Sequence, residues 1–484
     1  MTAAIGIRAW TEDVLWESQT RCKILAHGTA PIAFAENRQH LSKETTMNDK
    51  SIKAPDRRPL ASRLGAYALI AAVGWLMPLA AAAQTTIKFI AWNFQVETVN
   101  EFVKQFEAEN PGIKVDLEII PSAQYAAKIQ LMKNANTPFD ALYVFDHVLG
   151  QWASWLEPLD NYPGAAELKA KMLPLARQSM TYNGKLYGLP YFTSYFGIVY
   201  NSKMMKAAGI AAPPKTYAEW TEQAKKIKTA GLAQYPLIWP VKHTGWGGMW
   251  VMNTMVASRG GKLLDDKLNV TPEGLASLKW WESTYREGLS DPNGIELDPN
   301  ESARAFMTGN YYTDLTASFF AGAQWANDKE KSKVAGAAFL APTPEKHATV
   351  GFARMYGINS ASTHKKEAWE IVKFLGATAR SGDYVTPKQW VQKGALTWGY
   401  EGIEKDAAVS ASLVSWGADP SDMAANLKNA LAMNQVVPFQ AVWYAEWELF
   451  ANGVLQNVLA GRVKPEDGAN QWSDKAKQLA ARYK

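Results

Sequence analysis

The chain has 484 residues, of which 47% are apolar and 20% charged, which excludes a disordered chain and leaves enough apolar material for two to four domains. Its 51 basic and 46 acidic residues give a net charge of +5, too small and too spread out for a nucleic-acid platform, which needs a concentrated basic face. Cys22 is the single cysteine, so zinc ribbons, iron–sulfur clusters and disulfide frameworks are excluded.

At the N-terminus, residues 1–46 show no sustained helical or strand period and read as the product of an upstream start, with Met47 as the initiator, or as a disordered leader. Residues 47–83 read as a secretory signal peptide. Lys50, Lys53, Arg57, Arg58 and Arg63 precede a stretch without charge that begins at Leu64, and Ala81-x-Ala83 fits a small-residue cleavage site before Gln84. A membrane anchor of the same length is the alternative, which Pro78 and the alanine run disfavour. No cysteine follows the cleavage site, which argues against a lipid anchor, and Arg57-Arg58-Pro59-Leu60 fits a twin-arginine signal poorly.

From Gln84 onward the elements alternate. Ile87–Trp92 predicts a strand; Val99, Phe102, Val103 and Phe106 have helical spacing that stops at Pro111-Gly112; Ile113, Val115, Leu117 and Ile119 alternate with polar residues as in a half-exposed strand. A second amphipathic stretch through Tyr125, Ile129 and Met132 precedes a short apolar strand, 141–145, that ends at Asp146. Strand–helix–strand–helix–strand over this distance predicts an α/β domain with a largely parallel sheet. Gly184–Pro190 predicts a tight turn into the strand 191–200. Thr216 and Thr271 predict helix starts, the latter with Pro272 at the first helical position, and the last fifty residues read as helical around Trp443, Trp447, Phe450, Val454 and Leu455.

Catalytic motifs are missing from the sequence: there is no G-x-S-x-G and no P-loop, and Gly245-Trp-Gly-Gly248 lacks the third glycine of a dinucleotide fingerprint. His364-x-x-Glu367 reads as a solvated helix face, and six histidines do not indicate a metal cluster. A catalytic carboxylate pair stays open, though no spacing points to one. The aromatics stand out instead. They make up 12% of the chain, with 20 Trp, and many sit at strand ends and beside glycines. Aromatic faces suit the C–H faces of sugar rings, and ligands of parallel α/β sheets bind beyond the carboxyl ends of the strands; core packing is the competing reading for most of the Trp.

The residues that carry a family resemblance run in order along almost the whole chain after the leader. They are Ile87–Trp92 with Pro111–Val115; Pro138–Ala141 with Asp146 and Trp155–Leu159; Tyr187–Tyr191 with Val199–Asn201, Ala208–Ile210 and Pro213-Pro214; Ala305-Phe306 with Gly309, Pro342, Pro344 and Gly351; and Pro438, Trp443 and Val458–Gly461. In this order the chain resembles the extracellular solute-binding proteins of ABC importers, in the sugar-binding group typified by maltodextrin-binding protein. The resemblance implies an α/β, two-lobed periplasmic binding protein fold with hinge strands and an interlobe ligand cleft. Carried onto this sequence, it implies a first lobe of 84–193 and 342–385 and a second of 194–341 and 386–484.

The same resemblance implies a ligand site. Asn93, Phe94, Gln95, Asp146 and His147 would come from the first lobe, Tyr191, Ser194 and Tyr195 from the crossing segment, and Trp246, Trp250, Phe320 and Trp443 from the second lobe. The chain departs from the family where two glycines are common and Val350-Gly351 stands. Arg354 in that hinge strand would either face the cleft and read an anionic group or pair with a carboxylate inside the protein. The implied protein is a monomer without catalytic activity, cofactor or bound metal. It is periplasmic, binds a sugar, delivers it to the ABC permease subunits and has no nucleic-acid partner. A glycerol phosphodiester or a polyamine is the alternative solute, and a secreted glycosidase the alternative class.

Overall fold

The computed structural model describes residues 84–243, 247–317 and 326–483. The expected signal peptide, Trp246 and Phe320 lie outside them. Strand β1 (Thr85–Trp92), a helix over Val96–Glu109, β2 (Ile113–Ile120), a helix over Ser122–Asn134 and β3 (Ala141–Phe145) follow the predicted alternation. β1 lies between β2 and β3, parallel to both, and its second half is buried on both faces, as its run of apolar residues requires. β2 is the edge strand, and its polar residues face water; Lys88 on β1 pairs with Glu118 on β2 at 2.8 Å. The helix between them buries Val99, Phe102, Val103 and Phe106, the residues whose spacing predicted it.

The hairpin β4 (Thr181–Tyr182) and β5 (Lys185–Leu186) turns at Asn183-Gly184. Both residues have positive φ, 46° and 79°, as a two-residue hairpin loop of the primed type demands. It leads into β6 (Leu189–Asn201), which runs antiparallel to β8 (Thr313–Ala317), β9 (Ala338–Ala341) and β10 (Thr349–Ile358). β7 (Leu237–Ile238) pairs in parallel with β8, and β11 (Ala430–Ala432) in parallel with β10. The main path through this mixed sheet is β2-β1-β3-β10-β6-β8-β7. Thr216 and Thr271 cap the helices Tyr217–Thr229 and Pro272–Arg286, each accepting a backbone N–H of the first turn.

Apolar side chains gather into two main clusters, and the chain passes between them three times. β6 leaves the first cluster after Tyr195 and enters the second at Phe196. β10 returns between Phe352 and Ala353, and the last passage falls between Ala432 and Met433, just after β11. The three passages are laterally adjacent, because Gly351 of β10 pairs with Tyr195 on one side and with Ala432 on the other. A smaller cluster around Phe306, Val334 and Ala338 packs on the far side of β6.

These boundaries correct the expected ones. Residues 386–432 were expected in the second lobe but pack in the first, with Trp390, Trp398, Tyr400, Leu413 and Leu427 fully inside its cluster. Conversely, Val350 and Phe352 were expected in the first lobe and belong to the second. Long-range contacts decide this. Thr193 pairs with Thr397 and its hydroxyl donates to the Trp398 carbonyl at 2.5 Å, while Trp390 lies against Phe102 and Tyr191. No local pattern in 386–432 encodes those partners.

Candidate functional site

The carboxyl ends of β1 and β3 meet the crossing strands β6 and β10 at one place, and most of the expected residues of the first lobe stand there. After Trp92 the chain leaves the sheet. Asn93 accepts the backbone N–H of Ser122 at 2.8 Å, so its side chain fixes the start of the next helix. Phe94 is half-buried, 6.1 Å from the Trp390 ring. Gln95 stands in the left-handed region (φ 46°) ahead of the helix Val96–Glu109, and its amide donates to the Lys393 carbonyl at 3.1 Å.

Asp146 and Arg354 are 3% and 5% exposed. Register explains how they meet: antiparallel β3 and β10 place Arg354 opposite Phe145, next to Asp146. The Arg354 guanidinium donates to Asp146 Oδ1 at 2.9 Å, and the Ala353 N–H donates to Oδ2 at 3.0 Å. The same guanidinium lies 4.9 Å from the centre of the Phe145 ring and 4.7 Å from that of Phe352. Burial raises the Asp146 carboxyl above the usual carboxylate range, and the Arg354 cation and the backbone N–H groups offset only part of that rise. Of the two arrangements left open for Arg354, the structure contains the internal pair.

His147 lies beside this pair. Its Nδ1 is 4.0 Å from Asp146, its ring stacks on Phe145 at 5.2 Å, and its side chain is 43% exposed. Surrounding protein and then the Arg354 cation hold its pKa well below the usual histidine range, so the ring presents neutral nitrogens.

The crossing residues are deeper than expected. Tyr191 stacks on Tyr143 at 4.7 Å and meets Trp92 and Trp390 edge-on. Tyr191, Ser194 and Tyr195 are all buried, and their hydroxyls have no hydrogen-bond partner within the described residues. In the second lobe Trp250 stacks on Phe196 at 5.4 Å and meets Phe352 and Phe439 edge-on at 5.9 and 5.4 Å. Trp443 stands at the N-cap of the helix Tyr444–Leu459 and is 8% exposed, packed in the second cluster.

An aromatic tract therefore runs from one cluster to the other: Trp92 on Phe145, Arg354 between Phe145 and Phe352, Trp250 against Phe352, and Phe439 against Trp250. Sequence reasoning missed Phe352, Phe439 and Trp390. The signal for Phe352 was available, since two residues apart on one strand place it on the same face as Arg354. For Trp390 there was none. Among the described residues no group of three or more His, Cys, Asp or Glu could hold a metal ion, and no helix is long and apolar enough to cross a membrane.

The model of the bacterial extracellular solute-binding protein family matches residues 95–379, more than half of the chain. A binding protein of Brucella abortus strain 2308 is 26% identical over 373 residues, covering 76% of this chain and 85% of the relative. The maltotriose-binding protein of Pyrococcus abyssi is 25% identical over 65% of this chain and 66% of its own length, and the mannitol-binding protein of Pseudomonas aeruginosa 23% identical over 66% and 74%. Among solved structures, the sugar-binding protein MalE of Xanthomonas citri superposes with a TM-score of 0.70 at 18% identity, covering 82% of this chain and 98% of that one. Maltose-bound MalE3 of T. maritima superposes with a TM-score of 0.65 at 20% identity, over 82% and 100%.

Proposed function

Because this chain belongs to the bacterial extracellular solute-binding protein family, we propose that it captures an uncharged sugar or polyol between its two lobes and passes it, chemically unchanged, to the membrane subunits of an ABC importer. It does so as a monomer outside the inner membrane, after export and removal of the leader following Ala83. Maltotriose and mannitol, named for two of its relatives, are the starting candidates.

The observation that carries the choice of an uncharged ligand is the Asp146–Arg354 pair. The buried charges beside the strand ends cancel each other at 2.9 Å, which leaves neither a cation for a phosphodiester nor a free carboxylate for a polyamine at that point. Around the pair stand the neutral His147 and flat aromatic faces, which favour C–H surfaces and hydroxyls. Three laterally adjacent crossings form the hinge, and a ligand that touches both lobes favours the closed arrangement by its difference in affinity for the two.

Thermal denaturation of the exported protein with maltose, maltotriose, mannitol, ribitol, a glycerol phosphodiester and spermidine tests the reading. A neutral sugar or polyol at 100-fold excess over Kd adds about 2.7 kcal/mol of stability. Stabilisation by spermidine or the phosphodiester alone, or recovery of a cleaved sugar, would sink it. With the best ligand in hand, Trp443→Ala is expected to lower affinity about 30-fold, as truncation of an aromatic anchor does. Unchanged affinity would assign Trp443 to the core alone.

A further inference from the structure

The helix Gly248–Ser258 carries Trp250, and the helix Tyr444–Leu459 starts at Trp443; the two pack on each other inside the second lobe. Tyr444, Glu448 and Asn452 recur every four residues and so form one line along the second helix. All three are buried, as is Asn253 on the first helix. At one end of the line Asn253 lies beside the Tyr444 hydroxyl. At the other, Asn452 Oδ1 crowds Gly248, where an added Cβ would sit 2.5 Å from it. A polar seam thus runs the length of an otherwise apolar interface.

Several polar atoms of this seam are left unpaired. The Tyr444 hydroxyl donates to Glu448 Oε1 at 3.3 Å, and Asn452 Nδ2 donates to the Val241 carbonyl at 3.1 Å. Asn452 Oδ1 and the Asn253 amide, nitrogen and oxygen alike, make no well-formed hydrogen bond. An ionised Glu448 would add a charge to a buried seam where the amide oxygens of Asn253 and Asn452 both lack a donor; a neutral Glu448 brings one. Burial raises its carboxyl to about 7, with the Tyr444 hydroxyl pulling it back. The cations of the packed helices are engaged elsewhere: Lys475 and Arg482 pair with Glu446, Lys279 with Glu466 and Arg286 with Glu282, and Lys477 donates to Asn269, while of the remaining carboxylates Asp467 and Asp474 are exposed and Glu273 is half-buried. From Gly248–Ser258 the group at the seam is the uncharged Asn253.

We propose that Glu448 is a ligand-positioning residue: neutral, it seats the helix that begins at Trp443 against the helix that carries Trp250, and its ionisation loosens that seat and weakens ligand binding. The proposal rests on the reading that these indoles face the ligand. The link is short, since Tyr444 meets Phe439 at 5.2 Å and Phe439 meets Trp250 at 5.4 Å.

The test measures the affinity of the exported protein for maltotriose and for D-mannitol at pH 6 and pH 8.5, with Glu448→Gln beside the wild type. For whichever probe binds, the wild type is expected to lose about fivefold in affinity at the higher pH, the scale of an ordinary coupling between two sites. Glu448→Gln, which stays neutral, is expected to bind equally well at both. A flat profile in the wild type, or the same loss in the glutamine variant, overturns the proposal. If neither probe binds at pH 6, the choice of ligands has failed, and the seam is judged by infrared difference spectroscopy. A protonated-carboxyl band present at pH 6 and missing in Glu448→Gln supports it; no such band overturns it.

Discussion

The two lobes bury acidic side chains in opposite ways. In the first, Asp146 lies against a guanidinium and a backbone N–H and is 3% exposed. In the second, Asp314 accepts the Ser302 hydroxyl at 2.9 Å and Glu448 accepts that of Tyr444, and burial raises each to about 7. A cation partner opposes the desolvation of a buried carboxyl and makes it depend on that partner; hydroxyl partners oppose it less and make it depend on pH. The first arrangement sits at the crossing strands and the second within helix and sheet packing, so the lobes should respond to different perturbations.

Breaking the pair gives the largest expected effect. Arg354→Met leaves Asp146 buried beside apolar rings, and removal of one partner of such a pair costs about 3–5 kcal/mol. Urea denaturation of Arg354→Met measures it. The double variant Asp146→Asn/Arg354→Met removes the uncompensated charge and is expected to recover much of the loss. A single variant as stable as the wild type would mean that the pair carries no weight, and the contrast between the lobes would fall.

The sequence made part of this contrast visible. The spacing of Val99, Phe102, Val103 and Phe106 and the alternation in 113–119 are local patterns, and they placed the first strands and helix correctly. Asp146 was singled out because it ends a strand, and Arg354 because it interrupts an apolar one. That the two pair was not legible, since it depends on the antiparallel register of strands 208 residues apart in sequence. Lobe membership of 386–432 failed for the same reason: Trp390 and Trp398 find their partners through packing on β6 and its neighbours. Trp250 and Trp443, expected to face a ligand, are 7% and 8% exposed and also pack in the second cluster, which no letter of the sequence signals.

A smaller effect separates the lobes by pH. Asp314 and Glu448 keep their protons in the folded chain up to about pH 7, whereas in the unfolded chain they lose them near their ordinary values of 3.8 and 4.5. Between about pH 4 and 7 the unfolded state therefore binds fewer protons, and their contribution to stability declines as pH rises, reaching on the order of a few kcal/mol per group before it levels off. His147 and His243, whose pKa values burial lowers, act in the opposite sense below their ordinary value of 6.5. The comparison is accordingly between variants: Asp314→Asn should gain stability over the wild type as pH rises from 4.5 to 8, read from melting temperatures across that range. A difference independent of pH would mean that Asp314 is ionised throughout.

The smallest effect probes the hinge where the lobes join. Gly351 has ordinary backbone angles, so its lack of a side chain answers to space. A Cβ there would lie 2.5 Å from the Ser194 carbonyl oxygen on β6 and 2.6 Å from Leu175 Cδ2. The oxygen belongs to a paired strand and cannot rotate away, so Gly351→Ala must push β6 and β10 apart where the chain crosses between lobes. Overpacking of this kind costs about 1–3 kcal/mol. Gly112 is the matched control: its Cβ would meet nothing within 4 Å, and alanine there is expected to change stability by no more than about 0.5 kcal/mol. Urea denaturation of both variants distinguishes a packed hinge from a tolerant one. If Gly351→Ala is as harmless as Gly112→Ala, the strands at the crossing are free to separate, and the fixed point between the lobes must be sought in the Asp146–Arg354 pair alone.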